Sequence, residues 1–353
     1  MPTSRERVLM VLAGERPDRV PFIVWDNKIP SVAIEQRLLE LGACIIVKST
    51  VWREVWQGIE IRREGLVPNA DGHPRTRTVF RTAAGELSAI HIQQPGSTWR
   101  EKHLFESAAD FDALEALLKA RSYAPVFDFF RRADQRYPGQ CLARPATIHA
   151  PMHEVIYDLM GIENFCLEWS DHRERVLRLI ELMTDDVNAR VRLMAESPAP
   201  LCVIDGNTEA SIMGLERYRE FYVPHIRRAC AALHARGKLA GAHLDGNNRL
   251  IASDVAGTPL DFIESFTPEP DCNLPLAEAR RVWPDKTLMV NVPASRYHGG
   301  AEAVCGVARQ LMRSGAGDGR RFIMGVVEDV LNRGRDTLLP LAAEVAKWHL
   351  NRS

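Results

Sequence analysis

Lys238-Leu-Ala-Gly-Ala-His243-Leu-Asp245-Gly246 is an apolar run that closes on a histidine and a carboxylate. Side chains alternate across a strand, so His243 and Asp245, two residues apart, point to one side. Gly246 ends the run and leaves both groups at its exit. Arg321-Phe-Ile-Met-Gly-Val-Val-Glu328 repeats the pattern near the C-terminus, again with an acid at its end. Parallel strands closed into a barrel open all their exits onto one face, where active sites are built. One histidine and two carboxylates on that face suit a divalent-metal site or an acid–base site.

Runs of the same kind recur at 20–25, 44–47, 141–148, 201–205, 261–266 and 286–293, making eight with 238–245 and 321–328. Helical stretches separate most of them. Eight strand–helix units fit a closed α/β fold, the TIM (β/α)8 barrel. A doubly wound open sheet is the rival, weakened because no Gly-rich phosphate loop follows the first run. Residues 55–105 break the rhythm. There apolar and polar residues alternate, as in Ile59-Glu-Ile61 and Thr78-Val-Phe-Arg81, with turn residues at Asp71-Gly72 and Ala84-Gly85. This predicts antiparallel β-hairpins inserted into a single barrel domain spanning residues 1–353.

Helix signals support the division. Thr3-Ser-Arg-Glu6 is a capping box that opens a helix over 4–14. Asp171-His-Arg-Glu174 predicts another, capped by Asp171, with Val176, Leu179, Ile180, Met183, Val187, Val191 and Met194 along one face. Pro224 predicts a kink or break in the helical pattern of 215–236.

Composition excludes several function classes. Lys and Arg number 45 against 46 Asp and Glu, a net charge of −1, which leaves no electrostatic footprint for nucleic acid. No apolar run reaches the roughly 18 residues of a membrane span. Seven cysteines are dispersed without a CxxC pair, and Met1-Pro-Thr-Ser-Arg-Glu-Arg7 lacks a signal-peptide core. Reduced thiols and a cytoplasmic location are expected.

Other exits carry further candidates. Val203-Ile-Asp205-Gly-Asn207 offers Asp205, read either as a backbone cap or as a catalytic orienting group, and Asn207 as a substrate contact. Glu264 and Asn291 close the next two runs as substrate contacts. His149 and His153 flank Pro151. His149 suits a general acid or base, His153 a substrate contact, and both also fit an exposed helix-start loop. Trp25 and Asn27, beside Asp26, would line a substrate pocket, although for Trp25 a buried core place is the stronger reading. Cys272 reads as a structural thiol and His225 as a core or interface residue.

Several stretches together carry a resemblance. They are Thr3-Ser-Arg-Glu-Arg-Val-Leu9, Gly14-Glu-Arg-Pro17-Asp-Arg-Val-Pro21, Phe221-Tyr-Val-Pro224-His-Ile226, His243-Leu-Asp-Gly-Asn247, Asp261-Phe-Ile-Glu264 and Arg320-Arg-Phe-Ile-Met-Gly325. In this order they resemble the uroporphyrinogen decarboxylase superfamily through essentially the whole chain. That superfamily holds metal-free decarboxylases and zinc-dependent methyltransferases that work with corrinoids. The decarboxylases carry Met-Arg-Gln-Ala-Gly-Arg after the first strand to grip substrate carboxylates. Here Ile23-Val-Trp25-Asp-Asn27-Lys-Ile-Pro30 lacks the arginines and brings an acid, which argues against uroporphyrinogen as substrate. The hairpin insertion also looks more like the methyltransferase branch.

That branch binds zinc through a His-x-Cys pair and a later Cys. In this chain the resemblance implies His243, Asp245 and Glu328 as ligands for zinc or another divalent metal, with Asp329 as the alternative to Glu328. Oxygen ligands make a harder site than thiolates, better suited to an ether or amine than to a thiol. The implied reaction moves a methyl group from a small methylated ether or amine to a corrinoid. A partner protein would carry the corrinoid, since the chain lacks an Asp-x-His-x-x-Gly motif. Two alternatives stay open: decarboxylation of a small acid through His149, Asp205 or His243, and a non-catalytic ligand-binding barrel.

Overall fold

The computed structural model describes residues 1–94, 97–327 and 334–350. The chain divides into two compact units, one of Met1–Val51, Val126–Ile148 and Met194–Ser353, the other of Trp52–Pro125 and His149–Leu193.

The first unit is the barrel. Its strands are β1 (Phe22–Trp25), β2 (Cys44–Ser49), β3 (Cys141–Pro145), β4 (Leu201–Gly206), β5 (Leu239–His243), β6 (Phe262–Phe266), β7 (Thr287–Asn291) and β8 (Phe322–Val326). All ladders are parallel, in the order β4-β5-β6-β7-β8-β1-β2-β3. The Ile148 N–H donates to the Val203 carbonyl across the two end strands, 3.3 Å, so the ring is nearly closed. This is the expected TIM barrel, and each strand overlaps one of the eight apolar runs. The runs are continuous because such strands are buried on both faces.

Alternation along the strands fills the interior. Ile23, Trp25, Cys44, Ile46, Leu142, Leu201, Val203, Phe262, Met289 and Ile323 form one cluster with Val8, Val11 and Leu12. The last three belong to helix α1 (Ser4–Leu12), which the Thr3–Glu6 capping box starts as expected. This helix packs at the strand starts. Arg5 Nε donates to the Cys141 carbonyl at 2.6 Å, and Thr287 Oγ1 donates to the Val11 carbonyl at 3.3 Å. Val8 and Val11 are fully buried there, each contributing about 1.5–3 kcal/mol of apolar burial. Gly241 is required by close approach, since a Cβ would lie 2.2 Å from the Phe262 ring. One alternation further along, the inward positions become polar: Lys48, Arg144, Asp205, His243, Glu264 and Asn291.

The second unit contains the expected hairpins. Glu60–Leu66, Arg75–Thr82, Gly85–Gln94 and Ser97–Lys102 form a four-stranded antiparallel sheet in chain order. Trp52–Trp56 pairs antiparallel with Arg121–Pro125. That last strand has no sequence signal, being short, proline-ended and paired with a segment far away in the chain.

Two helix expectations meet different outcomes. The long helix Arg173–Glu196 buries all seven apolar positions named above. Asp171 does not cap it, however. Asp171 is the last residue of the preceding helix, Ile162–Asp171, and the break falls at His172, whose ring bonds Glu168 at 2.5 Å. Pro224 sits in the first turn of helix Val223–His234, just after a widened π turn at Tyr218–Tyr222. Among the described residues no helix is long and apolar enough to cross a membrane.

Candidate functional site

The exits of β3, β5 and β6 build a charged chain. His243, 8% exposed, ends β5. Its Nδ1 bonds Glu264 Oε2 at 3.0 Å, and its Nε2 lies 3.4 Å from Asp245 Oδ2. Asp245 follows the strand rather than ending it, yet its side chain keeps to the histidine's side. Behind Glu264 stands Arg144, whose Nη2 donates to both carboxylate oxygens at 2.8 Å. Arg144 is 0% exposed and Glu264 2%. A further Arg144 donor, Nη1, reaches the Pro145 carbonyl at 2.8 Å.

Charge follows from this packing. Burial opposes ionisation of Glu264, but Arg144 and then His243 hold its carboxyl well below the usual range. Burial likewise opposes a charged His243, but its bonds to Asp245 and Glu264 prevail and keep the ring protonated up to about 9.

Backbone irregularities sit on either side of this chain. The β4–β5 register shifts between Val203 and Gly206, and the β6–β7 register shifts between Ile263 and Phe266. Bulges re-aim side chains at strand ends. Ser265 adopts φ 62° inside β6, a left-handed conformation costly for a serine, directly after Glu264. Its Oγ accepts from Asn291 Nδ2 at 2.8 Å, and Asn291 Oδ1 accepts from the Val327 N–H at 3.2 Å. Asn291 therefore braces the exits of β6, β7 and β8. Gly206 lies against β5, where a Cβ would come within 2.9 Å of the His243 Cβ.

Trp25 lies over the histidine, with ring centroids 5.6 Å apart and planes at 25°. Lys48 Nζ stands 3.0 Å from the Trp25 ring centroid. Trp25 is thus buried and covered, while Asn27 is exposed after it. Asp205 is fully buried and accepts from Thr208 Oγ1 at 3.4 Å. Asn207 is exposed, with φ 52°, and its N–H donates to the His243 carbonyl at 3.2 Å. Cys272 Sγ donates to the Asp245 carbonyl at 2.7 Å, the structural use expected of it. His225 is buried, with Nε2 bonding the Ile204 carbonyl at 2.8 Å.

The matching family model is uroporphyrinogen decarboxylase (URO-D), over residues 90–331, more than half of the 353-residue chain. The chain belongs to the uroporphyrinogen decarboxylase family. No curated protein matches it in sequence. A solved methyltransferase from Methanosarcina mazei is similar in fold, with a TM-score of 0.58, 12% identity and 98% of each chain covered. A sugar phosphate isomerase/epimerase from Parabacteroides distasonis aligns at a TM-score of 0.31 and 8% identity, over 93% of this chain and 92% of its own.

The metal ligands implied for this family member divide in two. Glu328, with its alternative Asp329, lies outside the described residues. Among the described residues no group of three or more His, Cys, Asp and Glu is placed to hold an ion. His243 and Asp245 nevertheless fit as two ligands. Their 3.4 Å separation matches the roughly 3.4 Å ligand–ligand edge of a tetrahedral ion with bonds of about 2.1 Å. A buried carboxylate on the other ring nitrogen, here Glu264, is the usual orienting partner of a metal-binding histidine.

Two expected residues belong to the other unit. There His149 stacks on His153 at 4.5 Å, and His153 on Tyr157 at 4.4 Å. Burial, then the neighbouring His149, pushes the His153 pKa down to about 2, so this ring is neutral when folded. The unfolded chain takes up a proton near pH 6.5, so the folded state binds fewer protons below that value. The contribution is complete above about pH 6.5 and is lost as pH falls, by about 2 kcal/mol at pH 5. His153→Phe should remove that part of the acid-side loss. Urea midpoints of the two proteins at pH 7.5 and 5 would read it, and parallel losses would refute it.

Proposed function

We propose that this family member is a metal-dependent methyltransferase, moving a methyl group from a small methylated ether or amine to a corrinoid on a partner protein. The single observation that supports the reading is the His243–Asp245 pair, set at ligand spacing and backed by Glu264. When bound, a divalent ion such as zinc supplies Lewis acidity to the oxygen or nitrogen that releases the methyl group. His243 and Asp245 would hold that ion. Glu264 fixes the ring through Nδ1, and Arg144 fixes Glu264. Oxygen and nitrogen donors favour a hard substrate atom over a thiol.

The test joins composition to turnover. Protein purified without chelators or an affinity tag is expected to contain near-stoichiometric divalent metal. With reduced corrinoid protein and methylated donors, the methylcobalamin absorbance should rise. A protein that binds no divalent metal at micromolar concentrations, or that methylates free thiols strongly, would overturn the reading.

One observation favours a second reading, decarboxylation of a small acid. Lys48, Arg144 and a protonated His243 project at strand exits on the same face of the barrel, the first two toward the Trp25 ring. In that reaction the bond to the carboxyl carbon breaks, carbon dioxide leaves, and the electron pair left on carbon takes the proton from His243 Nε2. Carbon dioxide release by metal-free protein would select it.

A further inference from the structure

Lys48 is the inward residue of β2 at the mouth of the barrel, one alternation beyond Ile46. Its ammonium rests on the Trp25 face at 3.0 Å from the centroid, and part of the side chain reaches the surface. Among the described residues no carboxylate pairs with it. The nearest buried acid, Glu264, is already bound on both oxygens by Arg144 and on one by His243. The charged groups that act on Lys48 most strongly are Arg144 and Lys28 on one side, Glu264 and Asp26 on the other. Each of the buried cations beside it has a carboxylate partner, Arg144 and His243 on Glu264 and His243 also on Asp245, whereas Lys48 has none among the described residues. Burial, with Arg144 beside it, lowers the ammonium to about 8, as expected for a cation short of anionic neighbours.

We propose that Lys48, seated on Trp25, is an anion subsite: the small molecule that enters the barrel carries a carboxylate, which pairs with the Lys48 ammonium. The carboxylate supplies the ion-pair partner that Lys48 lacks. Trp25 holds the ammonium in place while its free hydrogens stay available. The donor class narrows accordingly, from methylated ethers and amines in general to those that also bear an acid group. This deepens the reading of the barrel mouth as the reactant site. It is tested by binding alone, so failed methyl transfer would leave it standing.

The probes are 4-methoxybenzoate, its neutral methyl ester and the cation benzyltrimethylammonium, titrated calorimetrically into the whole protein. Wild type should bind the carboxylate about 10- to 100-fold more tightly than the ester, the range of a charge-assisted hydrogen bond. Lys48→Met should erase that preference, and Lys48→Arg should keep most of it. Circular dichroism of each variant would confirm the fold. Equal binding of carboxylate and ester, an unchanged carboxylate affinity in Lys48→Met, or preference for the quaternary cation would overturn the proposal. So would absence of carboxylate binding up to about 10 mM, weaker than an ordinary small-ligand contact.

Discussion

His243→Ala should lower divalent-metal affinity by more than about 100-fold and abolish methyl transfer, while Glu264→Gln lowers affinity by about 10- to 100-fold. The two effects are expected to differ because His243 would supply a donor atom to the ion, while Glu264 would act only through the histidine ring. Alanine removes a donor atom. Glutamine keeps the shape of the side chain but removes the charge that fixes the ring and raises its basicity. Asp245→Ala should resemble His243→Ala more than Glu264→Gln, since Asp245 faces the ring nitrogen that Glu264 does not hold. Metal content after equilibrium dialysis reads all three variants. Full occupancy in His243→Ala would show that the histidine serves the charged chain and not a metal.

Arg144→Met is the change with the largest expected effect on stability, a loss of about 3–5 kcal/mol. The arginine is 0% exposed and meets a carboxylate that is 2% exposed. Removing it leaves Glu264 buried with His243 as its remaining hydrogen-bond partner, a charge that burial alone disfavours. The double change Arg144→Met with Glu264→Leu should recover much of the loss, because two apolar groups replace the pair. Urea denaturation of the single and double variants measures this directly. A loss under about 1 kcal/mol for Arg144→Met, the size of a surface pair, would show that the ion pair carries little of the fold.

Much of this molecule is written in local pattern. Continuous apolar runs mark all eight barrel strands, because a strand covered on both faces needs no polar side. Period-two spacing places His243 and Asp245 together, and the 3.4 Å contact follows from it. The same rule reaches Lys48 and Arg144, which lie two residues beyond Ile46 and Leu142. Their signal is weak because a basic residue at the end of an apolar run usually marks only where the strand meets water. Glu264 reads from sequence as a substrate contact, whereas the fold clamps it between Arg144 and His243. Nothing local announces that pairing, since β3 and β6 are not neighbours in the sheet. The left-handed Ser265 is equally silent, because serine carries no preference for that backbone. The Asp171 reading fails for a related reason: a cap motif looks the same inside a helix that has not yet ended.

The nearly closed ring has a mechanical consequence. β3 and β4 end the strand order, and among the described residues one backbone bond, not a ladder, joins them. Arg144 projects from β3 and grips β6 on the far side of that seam. The hoop is therefore fastened across its diameter by an ionic clasp instead of around its rim. Since the clasp also anchors the histidine, the roundness of the barrel mouth and the chemistry in it are tightened by the same screw.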